Sequence, residues 1–160
     1  AASLANYFLL ERRSVGLACS GVKSIVVPAE RGERQVNKIM ETLAFLRSDG
    51  LAPLHWLVTM RAKLLPIGTG VILITPSLRP DVLLTVEDLQ RRNLRPVVVL
   101  IKPESFGGME KSESIIAGLV KRNVPVCPIS LGDDLSVQLA LPVVFFQQRF
   151  QFKAFFSMKA

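Results

Sequence analysis

Two stretches limit what this chain can fold into: "VILIT" (71–75) and "PVVVLI" (96–101). Neither alternates polar with apolar residues, so a strand made from either is apolar on both faces. Such strands need cover on both sides, which a chain supplies by alternating them with helices. "PDVLLTVEDLQRRN" lies between the two runs and has helical spacing. "SESIIAGLVKRN" follows the second run as a helix with Glu113 in its first turn, and "PVCPIS" reads as a last short strand. "GDDLSVQLA" then begins a final helix that Asp133 would cap. The connection "KPESFGGMEK" reads as a mobile loop, in which Gly107 and Gly108 confer flexibility rather than cradle an anion.

The first half is more mixed. "AASLANYFLLERR" is helical, with Leu4, Phe8 and Leu9 on one face. "SVGLACSG" and "SIVVP" follow so closely that they predict a hairpin. In "ERQVNKIMETLAFLR", Val36, Ile39, Met40, Leu43 and Leu46 recur at three- and four-residue steps, giving an amphipathic helix that Ser48-Asp49-Gly50 closes. Pro53 suits the first turn of another helix, carrying Leu54, Leu57, Val58 and Leu65 as far as Pro66. The order of elements predicts an α/β fold: a doubly wound, mostly parallel sheet with helices on both faces. With no repeat and no dividing linker, 1–140 reads as one domain and 141–160 as a tail.

Composition narrows the class. At 160 residues, 49% hydrophobic and mean hydropathy +0.37, the chain can bury a core and is not a disordered segment. Its formal charge of +7 suits an acidic partner, but the cations are scattered and not interleaved with aromatics as in an RNA-binding sheet. Cys19 and Cys127 sit apart in apolar runs and read as small core residues of a reducing compartment. No run reaches the roughly 18 apolar residues of a membrane span, and no signal peptide is visible. The tail, "LPVVFFQQRFQFKAFFSMKA", holds six of the nine phenylalanines, three basic residues and no acid. It reads as an interfacial segment on an anionic bilayer, or as an element packed on the domain, or as a non-native end.

No self-sufficient catalytic motif is present. There is no GxxxxGK[ST] loop, and Gly68-x-Gly70 precedes its strand where a dinucleotide fingerprint follows one. His55, the single histidine, has no second histidine to share a metal and no GxSxG elbow to serve; a half-buried structural role fits it. What remains is position, because open α/β sheets bind ligands at the carboxyl ends of their strands. The "ITPS" strand end, with Thr75, Pro76 and Ser77, is such a place, and the loop holding Asp49 and Pro53 is a candidate neighbour. Hydroxyls and a carboxylate gathered there would suit a hard cation. Alternatively, Thr75 and Ser77 only satisfy backbone groups at a turn before Pro80.

The stretches "AASLANYFLLERRSVGLACSG", "PAERGERQVNKIMETLAFLRSDG", "APLHWL" and "VILITPS" resemble, in order, the von Willebrand factor A-like domain of the bacterial domain-of-unknown-function family fifty-eight. "RGERQVNKIMETLA" is the most specific, and the resemblance runs to about Ala140. It implies a Rossmann-like sheet whose central strand carries a DxSxS metal loop, and a gene neighbouring that of a MoxR-type AAA+ ATPase. That strand would lie before Ala1, and a chain opening mid-helix without an initiator Met fits its absence, leaving the domain incomplete at its N-terminus. Two further family ligands would be a Thr and an Asp. Here Ala52 and Pro53 occupy the first loop and Pro76 stands where the acid would be, so the metal site is degenerate and no residue is assigned as a ligand.

The function expected from the resemblance is a non-enzymatic protein-interaction module, an adaptor working with a MoxR-type ATPase in assembling or remodelling other proteins. Its contact rim would be Asp49, Pro53, Thr75, Pro76 and Ser77. No cofactor is expected, with Mg²⁺ entering only if the upstream strand brings ligands. Membrane attachment would come through upstream helices, the domain itself being cytoplasmic, and neither nucleic acid nor a small molecule is expected to bind. The alternative reading is a basic α/β module for nucleic acid or nucleotide, which steeply salt-dependent binding would reveal. The absent strand would sit between those at 15–20 and 71–75, exposing their edges at a cost of roughly several kcal/mol. The chain alone is therefore expected to be unstable or to pair elsewhere. A cooperative, high-temperature melt by circular dichroism would contradict this.

Overall fold

The two apolar runs become adjacent parallel strands in a computed structural model that describes residues 1–20, 24–47 and 53–140. The chain divides into two compact units, Ala1–Arg61 and a second beginning at Ala62. Among the described residues the architecture is α/β, with six α-helices, a three-stranded parallel sheet and a two-stranded antiparallel sheet.

In the second unit, β3 (Gly70–Thr75), β4 (Arg95–Ile101) and β5 (Val126–Ile129) lie in the order β3-β4-β5. The β3–β4 register runs from Gly70 opposite Arg95 to Thr75 opposite Leu100, and β4–β5 from Val98 opposite Val126 to Ile101 opposite Ile129. Val98, Val99 and Leu100 are consecutive and all buried, so both faces of β4 are covered. Helix α4 (Asp81–Arg91) packs on β4, and α5 (Glu113–Lys121) on β5. The two helices meet where Gly118 lets the α5 backbone approach Leu83; a Cβ there would stand 3.0 Å from a Leu83 methyl. The Arg122 guanidinium adds a salt bridge to Glu87 at 2.5 Å.

Both helices stop by one device. Asn93 and Asn123 adopt left-handed backbone (φ 56° and 54°), and the next residue's N–H reaches back to the helix: Leu94 to the Leu89 carbonyl, Val124 to that of Leu119. This is a Schellman ending with its apolar pair, and asparagine is the residue best suited to it after glycine. The turn delivers the chain into the next strand each time. Here α4 and α5 fall within the expected stretches.

In the first unit, α1 (Ala2–Leu10) buries Leu4, Ala5, Phe8 and Leu9, as its spacing requires. β1 (Val15–Ser20) and β2 (Ser24–Glu30) form the expected antiparallel hairpin. The pairing passes from Val15–Glu30 to Leu17–Val27, so Pro28 and Ala29 share the place opposite Gly16. Proline has no N–H for a ladder, and a bulge accommodates it. A Cβ on Gly16 would stand 3.0 Å from the Val27 carbonyl, so a larger residue would press on the β2 backbone. Helix α2 (Glu33–Phe45) lays Ile39 against Ala5, Leu9 and Val27.

Gln35, on α2 and 0% exposed, fastens the bulge. Its Nε2 donates to the Val15 carbonyl at 2.6 Å and the Pro28 carbonyl at 2.7 Å, the two strands' acceptors beside the disrupted ladder. Helix α2 ends at Phe45, with Leu46 already extended, two residues short of the sequence expectation. Helix α3 (Leu54–Ala62) likewise stops before Leu65. The glycine cap at Gly50 and the aromatic tail fall outside the described residues. Gln35→Ala should lower the unfolding free energy by about 1–2 kcal/mol, since it removes the side-chain partner of two partly buried carbonyls. Urea denaturation measures this; a loss below about 0.5 kcal/mol would show that the bulge carbonyls find other partners.

Candidate functional site

Parallel strands bring their carboxyl ends to one edge of the sheet, so the loops after β3, β4 and β5 of the second unit share an end. After β3, the buried Thr75 accepts the Ser77 N–H on Oγ1 at 3.1 Å, and the Ser77 hydroxyl accepts the Arg79 N–H at 3.3 Å. Both hydroxyls therefore close successive turns ahead of Pro80. Pro76 is exposed between them and carries no donor atom in its side chain. Residues 75–77 carry no carboxylate, and both hydroxyls accept backbone N–H groups.

Of the other rim candidates, Pro53 is exposed at the start of α3 in the first unit, its carbonyl accepting the Trp56 and Leu57 N–H groups. Asp49 lies outside the described residues. His55 is half-buried on α3.

The loop after β4 is more ordered than its glycines suggest. Lys102 N–H donates to the Ile129 carbonyl at 2.9 Å, carrying the β4–β5 pairing one residue further. Pro103–Phe106 form a 3-10 turn, closed by Gly107 at φ 91°. The Gly108 N–H folds back to the Pro103 carbonyl, and a Cβ on Gly108 would stand only 2.9 Å from that same oxygen. The glycine pair thus serves a tight return rather than looseness.

Two side-chain networks brace this loop. The Ser105 hydroxyl donates to the Lys102 carbonyl at 2.9 Å and accepts the Leu131 N–H at 3.0 Å, tying the β4 and β5 loops together. Ser112, fully buried, donates its hydroxyl to Glu104 Oε1 at 2.5 Å and its N–H to the same oxygen at 3.3 Å, with Lys102 Nζ at 3.7 Å. The Ser112 hydrogen bond, above all, holds the Glu104 carboxyl below the usual carboxylate range. With its proton committed to Glu104 and no solvent access, this serine is a fastening and not a nucleophile.

After β5, Asp133 does not cap the final helix α6 (Leu135–Ala140). Its Oδ2 accepts the Ser130 N–H at 2.7 Å and shapes the turn through Gly132, while Asp134 takes the cap by accepting the Ser136 N–H at 2.8 Å. Cys127 on β5 is buried and donates to the Gln138 carbonyl. Burial, then the nearby Asp133 charge, pushes its thiol up, and burial does the same for Cys19.

This end presents three large apolar side chains to solvent. Phe106 is 53% exposed, Met109 100% and Leu131 67%. The Ser105–Leu131 hydrogen bond ties the chain next to Phe106 to the backbone of Leu131. Sequence reading passed over all three; their signal was the presence of Phe and Met within an otherwise polar, glycine-containing loop. Among the described residues, no group of three or more His, Cys, Asp or Glu side chains is placed to hold a metal ion, and no helix is long and apolar enough to cross a membrane. No family model matches the chain, and no curated protein or solved structure is significantly similar to it.

Ser112→Ala should raise the Glu104 pKa toward its ordinary value in a carbon-detected NMR titration. Because the folded carboxyl is held low, the stabilisation is complete above the ordinary carboxylate pKa and is lost as pH falls through the lowered one. The stability gap between wild type and Ser112→Ala should therefore be widest near neutral pH and narrow in acid. A Glu104 titration unchanged by the substitution would contradict the assignment.

Proposed function

We propose that this chain is a non-enzymatic protein-interaction module whose contact face is the set of loops at the carboxyl ends of β3, β4 and β5. The observation that carries the reading is the exposure of Phe106, Met109 and Leu131 on backbone held by Ser105 and Ser112. Large apolar side chains are ordinarily withdrawn from water, and a rigid display of them lowers the ordering cost of binding. Aromatic and methionine side chains are also those favoured at the centres of protein interfaces.

The partner in this proposal is a MoxR-type AAA+ ATPase, for which the module acts as an adaptor. The resemblance of "RGERQVNKIMETLA" and "VILITPS" to the von Willebrand factor A-like family supports that choice. The parallel α/β sheet with helices along it is compatible with the same reading, under which the complete sheet is doubly wound and the protein membrane-associated. The adhesion site is degenerate in this proposal: contact is made through apolar side chains and not through a bridging metal.

Binding of the full chain to the purified ATPase encoded beside its gene, measured by biolayer interferometry, tests the proposal. Leu131→Asp and Phe106→Asp should each weaken the complex by about tenfold or more. Lys121→Ala, at the opposite end of α5, should leave it unchanged. No complex with the wild-type chain, or equal affinity for the Asp variants, would refute it.

A further inference from the structure

The apolar loop face has a charge of its own. The chain as a whole is cationic at +7, yet the loops after β4 and β5 reverse the sign. Glu110 and Lys111 follow Met109, Glu113 opens α5, and Asp133 and Asp134 follow Leu131 by two and three residues. Glu104 and Lys102 neutralise each other in the bracing network. The β3 loop adds one charge of each sign, Arg79 and Asp81. Around Phe106, Met109 and Leu131 the exposed charges are Glu110, Glu113 and Asp134 against the single cation Lys111, so the balance is acidic.

Resting on the protein-interaction reading above, we infer that this face takes a polypeptide segment carrying basic side chains beside large apolar ones. The apolar members would seat on Phe106, Met109 and Leu131, and the basic members would lie against Glu110, Glu113 and Asp134. An acidic apolar segment would meet like charge, and an anionic bilayer would be repelled in the same way, so charge selects the partner while the apolar contacts hold it. Met109, unbranched and fully exposed, adapts to different apolar partners, which suits recognition of a composition and not of one fixed sequence. The carboxylates stand in solvent, so their contribution should fall as salt is raised.

Fluorescence anisotropy of the full chain with three short fluorescein-labelled peptides tests this: one of Phe, Leu and Lys, one with Glu replacing Lys, and one with Ser replacing Phe and Leu. The Lys-containing apolar peptide should bind about tenfold more tightly than either of the others, and less tightly as ionic strength rises. Glu110→Lys combined with Asp134→Lys should abolish the preference for Lys over Glu. Phe106→Ser combined with Leu131→Ser should remove binding of the Lys peptide. Equal binding of the Glu peptide, a preference that survives the two Lys substitutions, or stronger binding to phosphatidylserine vesicles than to the peptide would each overturn the inference. The ATPase measurement reads separately: a complex that forms although the Lys peptide does not bind leaves the adaptor reading standing without this partner chemistry. Peptide binding without that complex shows the reverse.

Discussion

The second unit depends on one constraint, that β4 has no side it can show to water. Val98, Val99 and Leu100 alternate between the two faces of the sheet and all are buried. A strand of this kind is stable only between two others and beneath packed helices, so its neighbours β3 and β5 and the helices α4 and α5 follow from it. Parallel pairing then requires each helix to carry the chain back along the sheet, and this collects the strand-to-helix loops at one end. The candidate face is thus a by-product of burying β4.

Order at that end is local in origin. Thr75 and Ser77 spend their hydroxyls on turns. Ser105 joins two loops, Ser112 and Glu104 pin the start of α5, and Asp133 and Asp134 divide a turn and a cap between them. Nearly every polar side chain here satisfies backbone or another side chain. What stands exposed is a set of large apolar side chains together with mostly acidic charges, and that combination motivates the proposed role in binding protein segments. Glu104 Oε2 and, at the start of α4, Asp81 Oδ1 are buried without a hydrogen-bond partner.

Much of the fold could be read from the chain, and the reasons differ by element. The apolar runs at 71–75 and 96–101 announce their strands because burial on both faces leaves no alternation to confuse. The quoted helical stretches end at Asn93 and Asn123, whose left-handed turns appear only in the structure. The hairpin was legible from spacing, but its bulge was not, since that depends on Gln35 reaching across from another element. The ends of α2 and α3 were overrun because apolar spacing continues through Leu46 and Leu65 after the helical hydrogen bonds have stopped.

The site was less legible than the fold for the same reason. Periodicity reports which residues face a core, and loops have none. Gly107 and Gly108 read as flexible, whereas the close approach of Gly108 to Pro103 is visible only once the chain is folded back. Attention fell on Thr75 and Ser77 because hydroxyls at a strand end suggest chemistry. In the structure those hydroxyls accept backbone N–H groups, and the neighbouring loops carry the exposed large apolar side chains.

Hydrogen–deuterium exchange of the full chain, with and without a MoxR-type ATPase as the proposed partner, tests the central claim most directly, because it needs no substitution. Amides of 104–111 and 130–134 should slow on binding, while the solvent-facing turns of α4 keep their rate. Protection confined to α4 and α5, with the loops after β4 and β5 unchanged, would contradict it.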